Sequence, residues 1–201
     1  MRTVLSVATM LGMLGSAAYA VPYVLPPNQP GTSDPYSLNS AYSVEATYSI
    51  AEDSEDPDAW GARVRFNLYS DQVDTIRHQF SVNLGGMWGE KSDSIEGLDY
   101  KIESFMLPVT AGYDFNVPLC DSLQWYAGAK LGYAWTNVRA LGMADESHGY
   151  TYSVGTGLRF DIAENIYMNV GYEYGKVFFK LMDNEVNYGH HTIVVGMGYQ
   201  F

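Results

Sequence analysis

From about residue 41 to the last residue, apolar side chains recur at every second position, interrupted by short polar stretches. The clearest run is C-terminal, where Ile193, Val195, Met197, Tyr199 and Phe201 alternate with Val194, Gly196, Gly198 and Gln200. A period of two marks a strand with one apolar face and one small or polar face. Seven earlier segments carry the same pattern: 41–51, 59–69, 77–89, 104–115, 123–137, 149–162 and 166–175. Each is long enough to cross a bilayer as a tilted strand, which takes roughly 9–11 residues. The pattern predicts an all-β fold, an eight-stranded antiparallel up-and-down transmembrane β-barrel over residues 39–201.

The connections alternate in length. Residues 71–76, 116–122 and 163–165 predict short periplasmic turns, while 52–58, 90–101, 138–148 and 176–188 predict external loops. Pro108 falls inside the fourth segment, where its missing N–H removes one rung of the ladder and predicts a local bulge.

The two phases of the alternation differ in chemistry. Trp60, Trp88 and Trp135 share the apolar phase at the external ends of their strands, and Trp125 shares it at a turn end. Two aromatic girdles at the membrane interfaces follow from that placement. The opposite phase carries Glu45, Arg63, Arg65, Asp114, Lys130, Arg159 and Glu173, padded by glycines, and would line the lumen. A lumen of eight strands is just wide enough for side chains to fill it. Confined charges require partners. Placing the first hairpin's centre near Glu55 predicts Glu45 beside Arg65, with Arg63 and Lys130 sharing the same carboxylate. Arg159 and Asp114 are expected together near the periplasmic end.

The N-terminus sets the compartment. Arg2, an apolar run over 4–15 and Ala18-Tyr19-Ala20 form a secretory leader (1–20), followed by a proline-rich periplasmic linker (21–38) holding five of the eight prolines. Without its leader the chain has 181 residues, and losing Arg2 leaves 10 Lys and Arg against 23 Asp and Glu. That acidity excludes nucleic acid as a partner. The single Cys120 excludes an internal disulfide and is expected to sit passively in a turn.

The chain resembles the small eight-stranded outer-membrane barrels of the OmpA and OmpX type and the wider group of outer-membrane β-barrel domains. The residues that carry the resemblance are the terminal strand ending on Phe201 and, more loosely, 107–115 with 125–133. No peptidoglycan-binding domain follows Phe201, which departs from the OmpA pattern. The resemblance implies the outer membrane of a Gram-negative bacterium and a monomer among outer-membrane lipid and lipopolysaccharide. It also implies that Ile193, Val195, Met197, Tyr199 and Phe201 serve as the signal read by the barrel-insertion machinery. The function it implies is a structural or surface-interaction barrel with a closed, charge-paired lumen. A narrow conduit for small solutes and a lipid A-modifying enzyme are the alternatives.

Candidate chemistry is sparse. No catalytic residue, cofactor-binding residue or metal-ligand spacing stands out. The pairings considered for catalysis are His148 with Ser147 and His191 with Thr192, and for a metal His148 with His190. The acidic run 52–58 lacks the glycine and terminal glutamate of an EF-hand loop and reads as a solvated loop.

Overall fold

The computed structural model describes residues 41–201 except 74–75, 96–97, 141–142 and 182–183, and leaves undescribed the side chains of 69, 71–73, 93, 95, 98–99 and 181. The predicted leader and proline-rich linker lie outside the described residues. Eight strands close into one antiparallel barrel in chain order: β1 (Ala41–Ala51), β2 (Ala59–Val73), β3 (Ile76–Ile95), β4 (Leu98–Cys120), β5 (Leu123–Ala140), β6 (Met143–Ala163), β7 (Ile166–Leu181) and β8 (Asn184–Gln200). Every neighbour is next in sequence, and β1 closes the ring against β8.

The alternation is resolved as predicted between lipid and lumen. Val44, Trp60, Phe66, Phe80, Leu131, Val170, Val195 and Met197 are exposed on the outer surface, whereas Ser43, Glu45, Arg65, Asn83, Asn169 and Thr192 are buried inside. Trp60 pairs with Trp88 across β2 and β3, and Tyr48 packs on Trp60 with ring centroids 4.4 Å apart. At the opposite end Phe115 meets Trp125 edge-on at 5.4 Å, and Phe201, just past β8, packs against Tyr42 and Tyr199. Cys120 is exposed at the end of β4, beside the turn.

The partner pairs also give the stagger of the strands. Following them from Ala41 through Asn67, Ser81, Gly112, Lys130, Ser153, Gly175 and His190 returns to Ala51, ten residues further along β1. Such a shear tilts the strands, typically by about 35–45° to the barrel axis.

Two expectations need correction. The segments predicted as the second, third and fourth external loops are mostly strand. β3 and β4 stay paired to Ile95 and Leu98, β5 and β6 to Ala140 and Met143, and β7 and β8 to Leu181 and Asn184. Among the described residues of the four predicted external loops, 52–58 alone carries no strand. Each added cross-strand pair satisfies backbone donors and acceptors, so hairpins keep zipping beyond the bilayer. With water on both faces, however, the alternation that reveals a strand disappears. The second correction concerns Pro108. Pairing skips Gly85 and Gly86 opposite Leu107 and Pro108, but the register is the same on both sides, Leu84 with Val109 and Met87 with Met106. The proline omits a rung without inserting a residue, and its ring lies beside Gly85, which offers no side chain to displace. Register shifts occur instead near the turn ends, between Asn67 and Tyr69, Pro118 and Cys120, and Asp161 and Ala163.

Candidate functional site: the filled lumen

The inward phase of the strands brings charge from all sides to the barrel axis. Arg63 on β2 donates from Nε to Glu45 on β1 and reaches across to Glu173 on β7, with Nη1–Oε2 at 2.8 Å and Nη2–Oε1 at 2.5 Å. Lys130 on β5 donates to the same Glu173 Oε1. Asn169 Nδ2 donates to Glu45 Oε1 at 3.0 Å, and Ser43 donates to it at 3.2 Å. Two carboxylates and two cations therefore share one hydrogen-bonded group at mid-height, with Glu45 only 1% exposed.

A second layer lies toward the short turns that join β2 to β3, β4 to β5 and β6 to β7. Arg65 pairs with Asp114 on β4. Arg159 on β6 donates to Gln79 on β3 at 3.2 Å and stacks over the Tyr167 ring at 4.6 Å, while Asn116 donates to Gln79 at 3.2 Å. The buried Tyr126 and Tyr167 fill this end. They fit because glycines face them: a Cβ on Gly157 or Gly171 would collide with the Tyr126 hydroxyl, and one on Gly198 would collide with the Tyr167 ring.

On the other side of the charges, toward the long hairpins, the lumen turns apolar. Ala134, Val177 and Tyr188 form a buried cluster joined by Ala51, Met106 and Phe179. Tyr188 donates its hydroxyl to Pro57 O at 3.1 Å and so ties the loop 52–58 to the mouth. Burial, with Asp56 and Asp58 nearby, pushes the Tyr188 phenol above its ordinary range and keeps it protonated as the donor. The loop is held further by Asp58, which accepts from Ala51 N and from the Tyr48 hydroxyl, both at 3.1 Å, and by Lys91, which donates to Ser54 O. Lys176 reaches Glu52 at 3.4 Å. A cavity of about 60 Å³, lined in part by Thr47, Arg63, Lys130 and Glu173, lies between the charges and the apolar collar.

All seven charges named from the sequence lie inside, but their partners differ from those expected. Glu45 sits opposite Arg63, not Arg65, because Ser49 pairs with Ala59 and the hairpin is centred on Ser54. A one-residue change of centre moves each partner by two. Lys130 goes to Glu173 rather than Glu45. Arg159 and Asp114 do not meet, since Arg65 occupies Asp114 and Arg159 turns to Gln79 and Tyr167. Missed from the sequence were Gln79, Asn116, Asn169, Tyr126 and Tyr167. Their phase, opposite to Trp125 and Met168 for the two tyrosines, was the available signal.

The histidine pairings do not form. His148 faces outward over Tyr133, at 5.6 Å between rings, whereas Ser147 Oγ accepts from Lys180 N at 3.2 Å. His191 bonds the Tyr172 hydroxyl through Nδ1 at 2.5 Å on the outer side, whereas Thr192 is buried and meets Ser49 at 2.7 Å. His190 points inward to Thr192, away from His148.

The model of the family described as outer membrane protein beta-barrel domain matches residues 6–201. The chain belongs to this family. It is an outer-membrane β-barrel, and solved barrels share its architecture. Neisserial surface protein A is 18% identical, with 81% of this chain and 97% of that one covered and a TM-score of 0.59. The outer membrane enzyme PagL is 14% identical, with 77% and 97% covered and a TM-score of 0.53. At such identities the likeness is one of fold, and it spans a surface protein and an enzyme alike. Among curated proteins the comparison found no match.

Proposed function

We propose that this outer-membrane barrel is a structural or surface-interaction protein whose closed, charge-paired lumen does not conduct. The observation carrying this reading is the bridge from Glu45 through Arg63 and Glu173 to Lys130, which joins strands on opposite sides of the axis beneath an apolar collar. Moving an ion through would require separating confined charge pairs and wetting the collar, both unfavourable. The chain is exported with its leader removed after Ala20, so that the mature protein begins at Val21 and the long hairpins face the cell exterior. The insertion machinery reads the terminal strand, and the barrel stands as a monomer among outer-membrane lipid and lipopolysaccharide. Catalysis forms no part of this reading, because both histidine pairings considered place their side chains on different partners. The narrow-conduit reading draws on the mid-lumen cavity. Planar-bilayer recording of the refolded barrel separates the two: the expected result is no sustained current, and a steady ohmic conductance overturns the closed lumen. Intact mass of the protein purified from membranes checks the mature N-terminus.

A further inference from the structure

The barrel wall forks at one place. β6 and β7 pair up to Tyr150 and Phe178, and among the described residues no further rung joins them. Beyond that pair β6 continues along β5 as far as Met143, and β7 continues along β8 as far as Leu181. The two hairpins therefore diverge. Ser147 Oγ, not a backbone carbonyl, takes the Lys180 amide across the gap. At the base Gly149 lies so close to Phe178 that a Cβ there would strike its carbonyl, which pins the point of divergence.

The fork encloses a cleft of about 680 Å³ whose lining includes Tyr133, His148, Tyr150, Phe178, Lys180 and Glu185. That volume lies within the roughly 300–1,000 Å³ usual for small-molecule sites. The floor is aromatic and faces outward: Tyr150 is 74% exposed and Phe178 44% exposed, and Tyr133 meets Tyr150 edge-on at 5.5 Å. His148 pairs with Trp135, so the cleft opens at the level of the external girdle, where acyl chains give way to head groups. The polar wall is balanced. Lys180 and Glu185 are register partners on adjacent strands, so a cation and an anion stand together. A phosphate brought to Lys180 would meet Glu185, whereas a polyhydroxyl ring can accept from the one and donate to the other while lying on the tyrosines.

We infer that this cleft binds the acylated amino-sugar backbone of lipid A, recognised through its sugar ring and not through its phosphates. The inference rests on the proposed orientation, with the hairpins outward. The barrel, refolded in micelles of a detergent without a sugar head group, is titrated by native mass spectrometry. The probes are lipid A, dephosphorylated lipid A and a phosphatidylglycerol of matched chain length. Lipid A is expected to bind one-to-one and about tenfold more tightly than the phosphatidylglycerol, a difference of about 1.4 kcal/mol. Dephosphorylation is expected to change its affinity by less than about threefold. Tyr150→Leu keeps the apolar bulk and loses the ring, and should weaken lipid A by about tenfold, while Tyr42→Leu at the far girdle should not. Heat-modified mobility on gels confirms that each variant is folded. Equal binding of the phosphatidylglycerol, an unchanged Tyr150→Leu or a collapse on dephosphorylation overturns the inference. Orientation is tested separately in intact cells with a membrane-impermeant maleimide. Lys180→Cys should label and the native Cys120, at the turn end, should not; the reverse pattern sinks the orientation while leaving the lipid titration to be judged by itself.

Discussion

At the height of Glu45 the lumen holds two carboxylates and two cations joined by hydrogen bonds; further out, at the height of Tyr188, the same inward phase presents Ala134, Val177 and Met106. The strands, the spacing and the confinement are common to both regions. What differs is how each fills its space. The charged centre depends on complete partnership, because a buried charge that loses its partner keeps the cost of its desolvation. The apolar collar depends on volume and tolerates partial loss in proportion to what is removed. One barrel thus contains an all-or-none region and a graded one, stacked along a single axis.

That contrast fails if the centre also responds in a graded way. Glu173→Gln strips the carboxylate shared by Arg63 and Lys130, and should destabilise the barrel by about 3–5 kcal/mol in urea unfolding. Adding Lys130→Gln should recover part of the loss, since fewer unpaired charges remain. Purely additive losses would show that the centre is no network. An outward reference is Val195→Lys, expected to cost roughly 2–4 kcal/mol near the bilayer midplane, against a mild effect of Thr192→Ser on the inner face. Comparable costs at both would mean that the two faces are reversed.

The collar is tested at Val177, 1% exposed, where Val177→Ala should cost roughly 2 kcal/mol without a rescue partner. Tyr188→Phe keeps the packing but loses the bond to Pro57, and should cost about 1 kcal/mol. Its mark would be faster proteolysis of the 52–58 loop; unchanged cleavage would show that the tyrosine does not hold the loop. The smallest effect is a pH response in that loop. Burial and the neighbouring Asp53 raise the Asp56 carboxyl above its ordinary range, against a weaker opposing pull from Lys91. The folded loop therefore takes up its proton more readily than the open one, so it gains stability as pH falls through the raised value and loses that gain as pH rises. Amide exchange at 53–58, corrected for intrinsic rates, should slow relative to neutral pH; equal corrected rates would exclude the linkage.

Within the bilayer the strands were legible because lipid and lumen demand opposite chemistry of successive residues, as Ile193 to Phe201 display. Outside it the same strands were illegible. From Glu90 to Ile95 the sequence carries no apolar period, although β3 runs straight through it. The lumen charges were legible as a set, and their partners were not. Assigning Glu45 to Arg63 required the hairpin centre to within one residue, and Asp53 and Asp58 set that centre through bonds made inside the loop. The long-range pairs, Arg63 with Glu173 and Arg65 with Asp114, also depend on the stagger accumulated over the barrel, which no local window contains.

That stagger gives the lumen network a further role in closure. The ring is completed where β1 meets β8, and a slide of two residues along this seam would keep every side chain on its proper face. Hydrophobic pattern alone cannot detect such an error, yet it would alter the bore of the barrel. The bonds from Arg63 to Glu173 and from Asn169 to Glu45 join the first two strands to the seventh, bridging the seam from within. They act as a vernier: only one alignment of the last joint brings all of these groups into contact, so the charges that fill the interior also measure its circumference.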